Sequence, residues 1–294
     1  MKEIVVISGK GGTGKTSVTA AFAVLGGSDV VVADCDVDAA DMHLLMKPDF
    51  NFSEDFYSGE LAYIDQNSCI RCGECTRVCR FDAINVTNRQ FIVNPLSCEG
   101  CGYCARICPA LSIVNKERLA GKWFISNIKT GSIMVHARLG IGADNSGKLV
   151  AKVKNEAREI ALEERKDFVL VDGSPGVGCP VISSLSGAGF VVLVTEPSVS
   201  GLHDLKRVYK LVKKFNINAG CIINKADINP VKCAEIVKYL EEEGIAHLPD
   251  LPYDENFTNA MTQGQTIVES DDGVLKELLT ESWGKIKQLV NGGR

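Results

Sequence analysis

Gly9-Lys10-Gly11-Gly12-Thr13-Gly14-Lys15-Thr16 matches the pattern G-x-x-x-x-G-K-[ST]. It sits where that pattern acquires meaning, directly after the β-branched run Glu3–Ser8 and at the head of Thr16–Leu25, a segment of helical composition. Glycines let a backbone curl until its N–H groups face phosphate oxygens, and the N-terminus of the following helix adds partial positive charge. Lys15 is expected to reach the β- and γ-phosphates of a nucleotide and the Thr16 hydroxyl to ligate Mg²⁺. Gly11, Gly12, Thr13, Gly14 and Ser17 would complete the cradle. The alternative is a glycine-rich turn with a surface lysine, and the coincidence of the full pattern with its strand–loop–helix setting argues against it.

Outward from this loop the chain alternates two kinds of segment. Val30–Ala33, Phe168–Val171, Val191–Val194 and Cys221–Ile223 are short apolar runs of the kind a buried parallel strand shows. Lys148–Glu164, Gly201–Phe215 and Pro230–Glu243 read as helices between them. Strands spaced by helices predict right-handed crossovers, hence an α/β fold whose mostly parallel sheet is covered by helices on both faces. Gly121–Leu139 reads instead as a hairpin turning at Lys129-Thr130-Gly131.

Composition narrows the function classes. The chain has 294 residues, 32 basic against 37 acidic, and a net charge of -5, which offers no general attraction to nucleic acid or to an anionic membrane. No apolar run approaches the roughly 18 residues of a membrane span. Met1-Lys2-Glu3 leads straight into a strand-like run without a signal-peptide pattern, so the expected compartment is the reducing cytoplasm. Cysteine is abundant, at 12 residues, and eight of these fall into two runs, Cys69, Cys72, Cys75, Cys79 and Cys98, Cys101, Cys104, Cys108. Each run is C-x2-C-x2-C-x3-C, and Cys98 lies 29 residues after Cys69. Ile84 and Ile113 follow the last cysteine of their runs at equal distance, so the segment is an internal duplication. The expected organisation is one α/β domain over residues 1–60 and 119–294, interrupted by a smaller domain over 61–118.

Lys-Gly-Gly-Thr-Gly-Lys-Thr, with its early lysine, resembles the deviant Walker motif of the MinD/Mrp/ParA ATPases, to which the nitrogenase iron protein is related. That resemblance implies that Lys10 reaches across a dimer interface to the partner's nucleotide. Ala33-Asp34-Cys35-Asp36 looks like the family's first switch, and Val171-Asp172-Gly173-Ser174-Pro175-Gly176 like its second. By position Asp36 would orient the attacking water and Asp172 would hold the Mg²⁺ shell, whereas Asp38 and Asp41 read as a solvated acidic loop. Ile222-Ile223-Asn224-Lys225 resembles the strand end that meets adenine through its Asn, and Leu251-Pro252-Tyr253-Asp254 the loop beside the base. Asn224, Pro252 and Tyr253 are therefore candidate base contacts. Asn224-Lys225-Ala226-Asp227 also fits the guanine-reading pattern N-K-x-D, but the remaining motifs favour ATP.

The two cysteine runs look like a bacterial two-cluster ferredoxin, a small α+β domain. In that arrangement three close thiolates hold one cubane and the distant cysteine reaches the other. One [4Fe-4S] cluster would take Cys69, Cys72, Cys75 and Cys108, and the second Cys98, Cys101, Cys104 and Cys79. Structural zinc also uses C-x2-C, but a third cysteine two residues on suits a cluster better. Cys108 precedes Pro109 as the pattern wants, whereas Cys79 precedes Arg80. The whole resembles the MinD superfamily ATPases that contain an inserted ferredoxin domain.

Of the other cysteines, Cys35, Cys221 and Cys233 read as small core hydrophobes. Cys179 stands where the nitrogenase iron protein carries a ligand to an intersubunit cluster, but the second such ligand has no counterpart in Gly140-Ile141-Gly142-Ala143. No two of His43, His136, His203 and His247 share metal-ligand spacing. The amphipathic Asp272–Asn291 is expected to pack on the core, since Glu277 and Glu281 offset its lysines. The leading functional expectation is a slow ATPase acting as a homodimer or beside a paralogous ATPase, whose nucleotide-driven switch is coupled to electron transfer to a redox partner. The alternatives are a carrier that hands metal clusters to an acceptor protein, and a spatial organiser of the MinD/ParA kind. Neither nucleic acid nor membrane is an expected partner.

Overall fold

The computed structural model describes residues 1–143, 146–270 and 273–292. The chain divides into two compact units, Met1–Glu54 with Trp123–Arg138 and Ser146–Arg294, and Asp55–Lys122 with Leu139–Asn145. The second unit is wider than the cysteine duplication at both ends, because strand pairing on either side of the cysteines continues beyond it.

In chain order the elements are β1 (Lys2–Ile7), α1 (Lys15–Gly26), β2 (Val30–Asp34), α2 (Met42–Met46) and β3 (Phe52–Ile64). Next come α3 (Glu74–Val78), β4 (Ile84–Thr87), β5 (Gln90–Val93), α4 (Tyr103–Ile107), β6 (Ile113–Asn127) and β7 (Ile133–Leu139). The remainder alternates, with α5 (Ser146–Glu163), β8 (Phe168–Asp172), α6 (Cys179–Leu185), β9 (Phe190–Thr195), α7 (Val199–Lys214), β10 (Ala219–Ile223), α8 (Pro230–Glu243) and β11 (Ala246–His247). It ends in α9 (Asn256–Thr262), α10 (Ile267–Ser270) and α11 (Val274–Gly292). Asp272, the expected start of the last helix, lies outside the described residues.

The sheet of the first unit runs β11-β10-β9-β1-β8-β2-β7-β6, the last by its Trp123–Asn127 end. Every pair from β11 to β7 is parallel. β2, β8, β9 and β10 are buried at every position and rich in Val, Ile and Leu, as parallel strands covered on both faces must be. The chain passes from β1 to β2 on one side and later to β9 and β10 on the other, so the order reverses at β1. A crevice therefore opens at the carboxyl ends of the strands around it, where open α/β sheets bind ligands.

The helix that follows is shaped for that position. α1 buries Val18, Thr19, Ala20, Ala21, Phe22 and Ala23, and its small residues allow close approach to the sheet. It ends at Gly27, whose left-handed φ of 56° lets its N–H close on Ala23 O and Val24 O. α11 presents Leu275, Leu279, Trp283, Ile286 and Val290 at helical spacing, all buried. Trp283 stacks on Phe22 at 5.4 Å between ring centroids and meets Phe168 edge-on at 5.7 Å. Among the described residues no helix is long and apolar enough to cross a membrane.

The second unit has a small core of Ala62, Ile64, Cys75, Ile84, Phe91 and Ile113, with further cysteines packed against it. β4 and β5 form an antiparallel ribbon. β3 lies beside β6, where Asn115 Nδ2 donates to Glu60 Oε2 at 2.7 Å and Lys122 pairs with Asp55 at 3.3 Å.

Truncating the aromatic clasp on α1 is expected to be costly. Trp283→Ala should lower unfolding stability by about 3–5 kcal/mol, the range for large buried aromatics. Denaturant titration followed by circular dichroism reads this, and a loss of only a few tenths of a kcal/mol would show that the helix does not close the core.

Candidate functional site

The Gly9–Gly14 loop joins the end of β1 to the start of α1. Gly12 and Gly14 hold φ of 79° and 91°, backbone that other residues adopt only under strain. A Cβ on Gly14 would also overlap Asn224 Nδ2, and one on Gly9 would overlap the Asp204 backbone. Gly11 has open space around it, as does Gly12.

Lys15 is 6% exposed and lies between carboxylates carried by two other strands. Its Nζ stands 3.0 Å from Asp172 Oδ2, at the end of β8, and 3.4 Å from Asp36 Oδ2, just past β2. Burial alone would pull the ammonium down. Asp172 first, then Asp36 and Asp34, outweigh it, so Lys15 ends above its ordinary value. Burial, with the Asp172 carboxylate next, pushes Asp34 well up, and burial raises Asp36 against the pull of Lys15. Thr16 Oγ1 donates to Asp172 Oδ2 at 2.8 Å, and Thr19 Oγ1 lies 2.8 Å from Asp172 Oδ1. Two buried oxygens here have no protein partner, Asp34 Oδ2 and Thr13 Oγ1. The Thr16 hydroxyl and three carboxylates, of which Asp34 has an unpaired buried oxygen, form a hard-oxygen set suited to Mg²⁺. A buried ammonium beside a glycine loop suits the phosphates that Mg²⁺ accompanies.

The two switch-like stretches are fastened to one another. Cys35 N–H donates to Asp172 O at 2.8 Å, Ser174 Oγ donates to Cys35 O at 2.8 Å, and Gly176 N–H donates to Ser8 O at 2.9 Å. Asp38 and Asp41 are exposed, as their sequence setting suggests.

Lys10 points within its own chain. Its Nζ pairs with Glu196 Oε1 at 2.6 Å and donates to Ser200 Oγ at 2.9 Å, while Lys225 approaches the other Glu196 oxygen at 3.5 Å. Partial burial raises Glu196, but hydrogen bonding and charge from Lys10, then Lys225, hold it below the ordinary glutamate range. The sequence carries no sign of Glu196, because no local spacing links residues that meet only across the sheet.

Asn224 is 6% exposed, with Nδ2 donating to Thr13 O at 2.9 Å and Oδ1 accepting from Lys225 N–H at 3.0 Å. An isolated parallel bridge joins Asn224 to Leu251. Asp227 Oδ1 accepts the Tyr253 N–H at 2.6 Å, so Pro252 and the exposed Tyr253 are brought beside the Asn224–Asp227 loop. Ser17 Oγ meets Met261 Sδ at 3.4 Å. Met261, on a short helix without a motif, is a neighbour that sequence reasoning missed.

The second unit repeats its backbone at the spacing of its cysteines. α3 starts at Glu74 and α4 at Tyr103, and left-handed φ values pair Arg71 with Gly100, Gly73 with Gly102 and Asp82 with Leu111. One cavity is lined by Cys69, Cys72, Cys75 and Cys108, and a second by Cys79, Cys98, Cys101 and Cys104. Cys72 and Cys101 are the exposed member of each set. Among the described residues no three His, Cys, Asp or Glu side chains converge on the position of a single metal ion. Each cavity is lined by four cysteines, three from one run and the last of the other. Burial pushes the Cys75 and Cys104 thiols up, and it pushes Cys108 up as well. At Cys108 hydrogen bonds from Ser112 and nearby backbone N–H groups outweigh burial and leave the thiol below its ordinary value.

Cys35 and Cys221 are buried and raised by that burial, and Cys233 is half-buried. Cys179 is exposed at the start of α6. His136 is buried between Phe50 and Phe124, bonded to Ser126 at 3.0 Å, and lowered to about 4 chiefly by burial.

The nucleotide-binding domain family described as CobQ/CobB/MinD/ParA matches residues 4–267. The uncharacterized protein MJ0578 of Methanocaldococcus jannaschii is 31% identical over 98% of this chain and 97% of its own length. Among solved structures, the cell division ATPase MinD of Pyrococcus furiosus superimposes with a TM-score of 0.58 at 20% identity, covering 98% of this chain and 99% of that one. The septum site-determining protein MinD of Pyrococcus horikoshii, complexed with Mg-ADP, gives 0.59 at 21% identity, covering 98% and 96%. At those identities the two structures speak for the fold. The match across the loop, both switch strands and the Asn224 strand end carries the assignment, and the chain belongs to the CobQ/CobB/MinD/ParA nucleotide-binding family, with the MinD/ParA-type P-loop fold.

Proposed function

We propose that the protein is a Mg²⁺-dependent ATPase whose nucleotide cycle is coupled to electron transfer through two [4Fe-4S] clusters in an inserted ferredoxin-like domain, spanning 61–118 at its duplicated centre. The observation that carries the electron-transfer part is the crossing of the cysteines. Three from one run and the last of the other line each cavity, which is the division a two-cluster ferredoxin requires.

In the nucleotide site Lys15 exchanges its carboxylate partners for β- and γ-phosphate oxygens. Thr16 and Asp172, now hydrogen-bonded to each other, would hold Mg²⁺, which would supply charge neutralisation at the phosphates. Asp36, beside Lys15, orients the attacking water. Asn224 already braces the loop through Thr13 O and faces the base with Tyr253. Asp227 is partly engaged by the Tyr253 N–H, which favours adenine over guanine at this edge. Lys10 leaves Glu196 to reach the nucleotide of a second ATPase subunit, and hydrolysis depends on that pairing. The clusters, when bound, supply one-electron chemistry at low potential to a redox partner.

The organiser reading is supported by the MinD likeness over 98% of the chain. Against its membrane form stands α11, whose apolar face is buried on the core. Sedimentation with anionic liposomes and binding to duplex DNA, each with ATP, test it: binding to either would displace electron transfer as the leading function. Delivery of clusters to an acceptor is the remaining alternative, and transfer of radiolabelled iron from the protein to an iron-free acceptor would establish it.

Protein purified without oxygen should carry about eight iron atoms and eight acid-labile sulfides per chain. About four would refute the ligand division, and none would remove the redox reading. Electron transfer to the partner should change rate between ATP and ADP, and equal rates would end the proposed coupling. Lys15→Ala should weaken ATP binding about 100-fold or more, as loss of a buried charge contact does. Lys10→Ala should keep ATP affinity but lower dimer-dependent turnover by about 10³-fold, the effect of losing a phosphate-clamping cation supplied in trans. Equilibrium dialysis and phosphate release separate the two.

A further inference from the structure

The internal duplication supplies its own control experiment, because each position in one cysteine run has a counterpart 29 residues away. The counterpart of Cys79 is Cys108, and the counterpart of Ala83 is Ser112. Both fourth-residue neighbours approach the last cysteine of their run. Ala83 offers only its backbone N–H, 3.4 Å from Cys79 Sγ. Ser112 adds a side chain, and its Oγ stands 3.2 Å from Cys108 Sγ.

Either atom of the Ser112–Cys108 pair could donate while the cysteine is a thiol. A cysteine bound to iron is a thiolate with no proton to give, so the hydroxyl must then be the donor. Ser112 is 4% exposed and lines the same cavity as Cys69, Cys72, Cys75 and Cys108, so water does not compete for the bond. Ala83 lines the other cavity and has nothing to donate beyond its main chain.

Adding an electron makes the sulfur ligands of an iron–sulfur centre more negative. A hydrogen bond to a ligand sulfur is therefore worth more in the reduced state and raises the potential. From this asymmetry we infer that Ser112 is a positioning residue that makes the two centres unequal. Its hydroxyl raises the potential of the centre held by Cys69, Cys72, Cys75 and Cys108 above that of its twin. An electron delivered to the unit then settles on that centre. No bond is made or broken and no proton is transferred, since the hydroxyl keeps its hydrogen throughout. The inference rests on the cluster reading of the cysteine cavities.

The test is an anaerobic redox titration with dithionite and mediators, followed by electron paramagnetic resonance, on the full chain and two variants. Ser112→Ala gives the second run the residue of the first, and Ala83→Ser does the reverse. Ser112→Ala should lower the higher of the two midpoints while the other stays in place. A tenfold change in that reduction equilibrium corresponds to about 59 mV for one electron. Ala83→Ser should raise the lower midpoint, and the two variants together should invert the order. Iron content is measured alongside. Wild-type chain without iron would defeat the cluster reading itself. Eight irons with midpoints unmoved in both variants, or with the lower midpoint falling in Ser112→Ala, would overturn the role of Ser112 and leave the cluster reading intact. Should Ser112→Ala lose iron, Ala83→Ser alone decides, and an unmoved lower midpoint there overturns the inference.

Discussion

A lysine ammonium shut away from water has to be matched by negative charge, and in this protein that requirement organises the carboxyl ends of three strands. Lys15 sits at the head of α1, Asp172 closes β8 and Asp36 follows β2, so the charge balance is met only when all three lie together. Thr16 and Thr19 bring two hydroxyls to Asp172 and fix its orientation. Backbone bonds between Cys35 and Asp172 and between Gly176 and Ser8 carry the same constraint outward. What results is a site where one ammonium is shared among neighbouring carboxylates and where Asp34 carries an unpaired buried oxygen. Phosphate and Mg²⁺ would separate those charges and draw each to a new partner. The same electrostatics that hold the loop together thereby make it sensitive to what enters it.

The second unit obeys a different constraint, one of backbone repetition. Arg71, Asp82 and Leu111 adopt left-handed φ values that branched or bulky side chains tolerate poorly, and each is matched 29 positions away by a residue in the same region. The strained conformation recurs whether glycine is there, as at Gly100, or not, as at Arg71. Local preference does not account for that recurrence. The recurrence follows the 29-residue duplication, which places the same loop beside each cysteine-lined cavity.

Much of this was legible in the sequence, and the reasons are physical. The phosphate loop is readable because its geometry restricts the residues: positive φ at Gly12 and Gly14 and close packing at Gly9 and Gly14 leave few substitutes. Fully buried strands such as Phe168–Asp172 read correctly because a parallel sheet covered on both faces requires continuous apolar runs. β3 was not legible. Phe52–Ile64 is mostly exposed, with Ser53, Glu54, Asp55 and Glu60 among its aromatics, so neither apolar run nor clean alternation announces a strand. The same silence hid the width of the second unit. Glu196 as the partner of Lys10, and Met261 beside Ser17, depend on tertiary contact alone.

The two units also differ in what holds them folded. The first buries a large cluster built from α1, α11 and the parallel strands. Among the described residues the core cluster of the second has six members, one of them Cys75, with five further cysteines packed against it. A core that small cannot offset the conformational entropy of a unit of 75 residues unless something else ties the loops together. The groups present to do so are eight thiols facing two cavities. In such a unit the centres that would carry electrons are also the cross-links that hold the chain, so binding free energy and folding free energy become one quantity. If the proposed clusters are those cross-links, their loss would unfold that unit, while the first unit is stabilised by its own hydrophobic cluster.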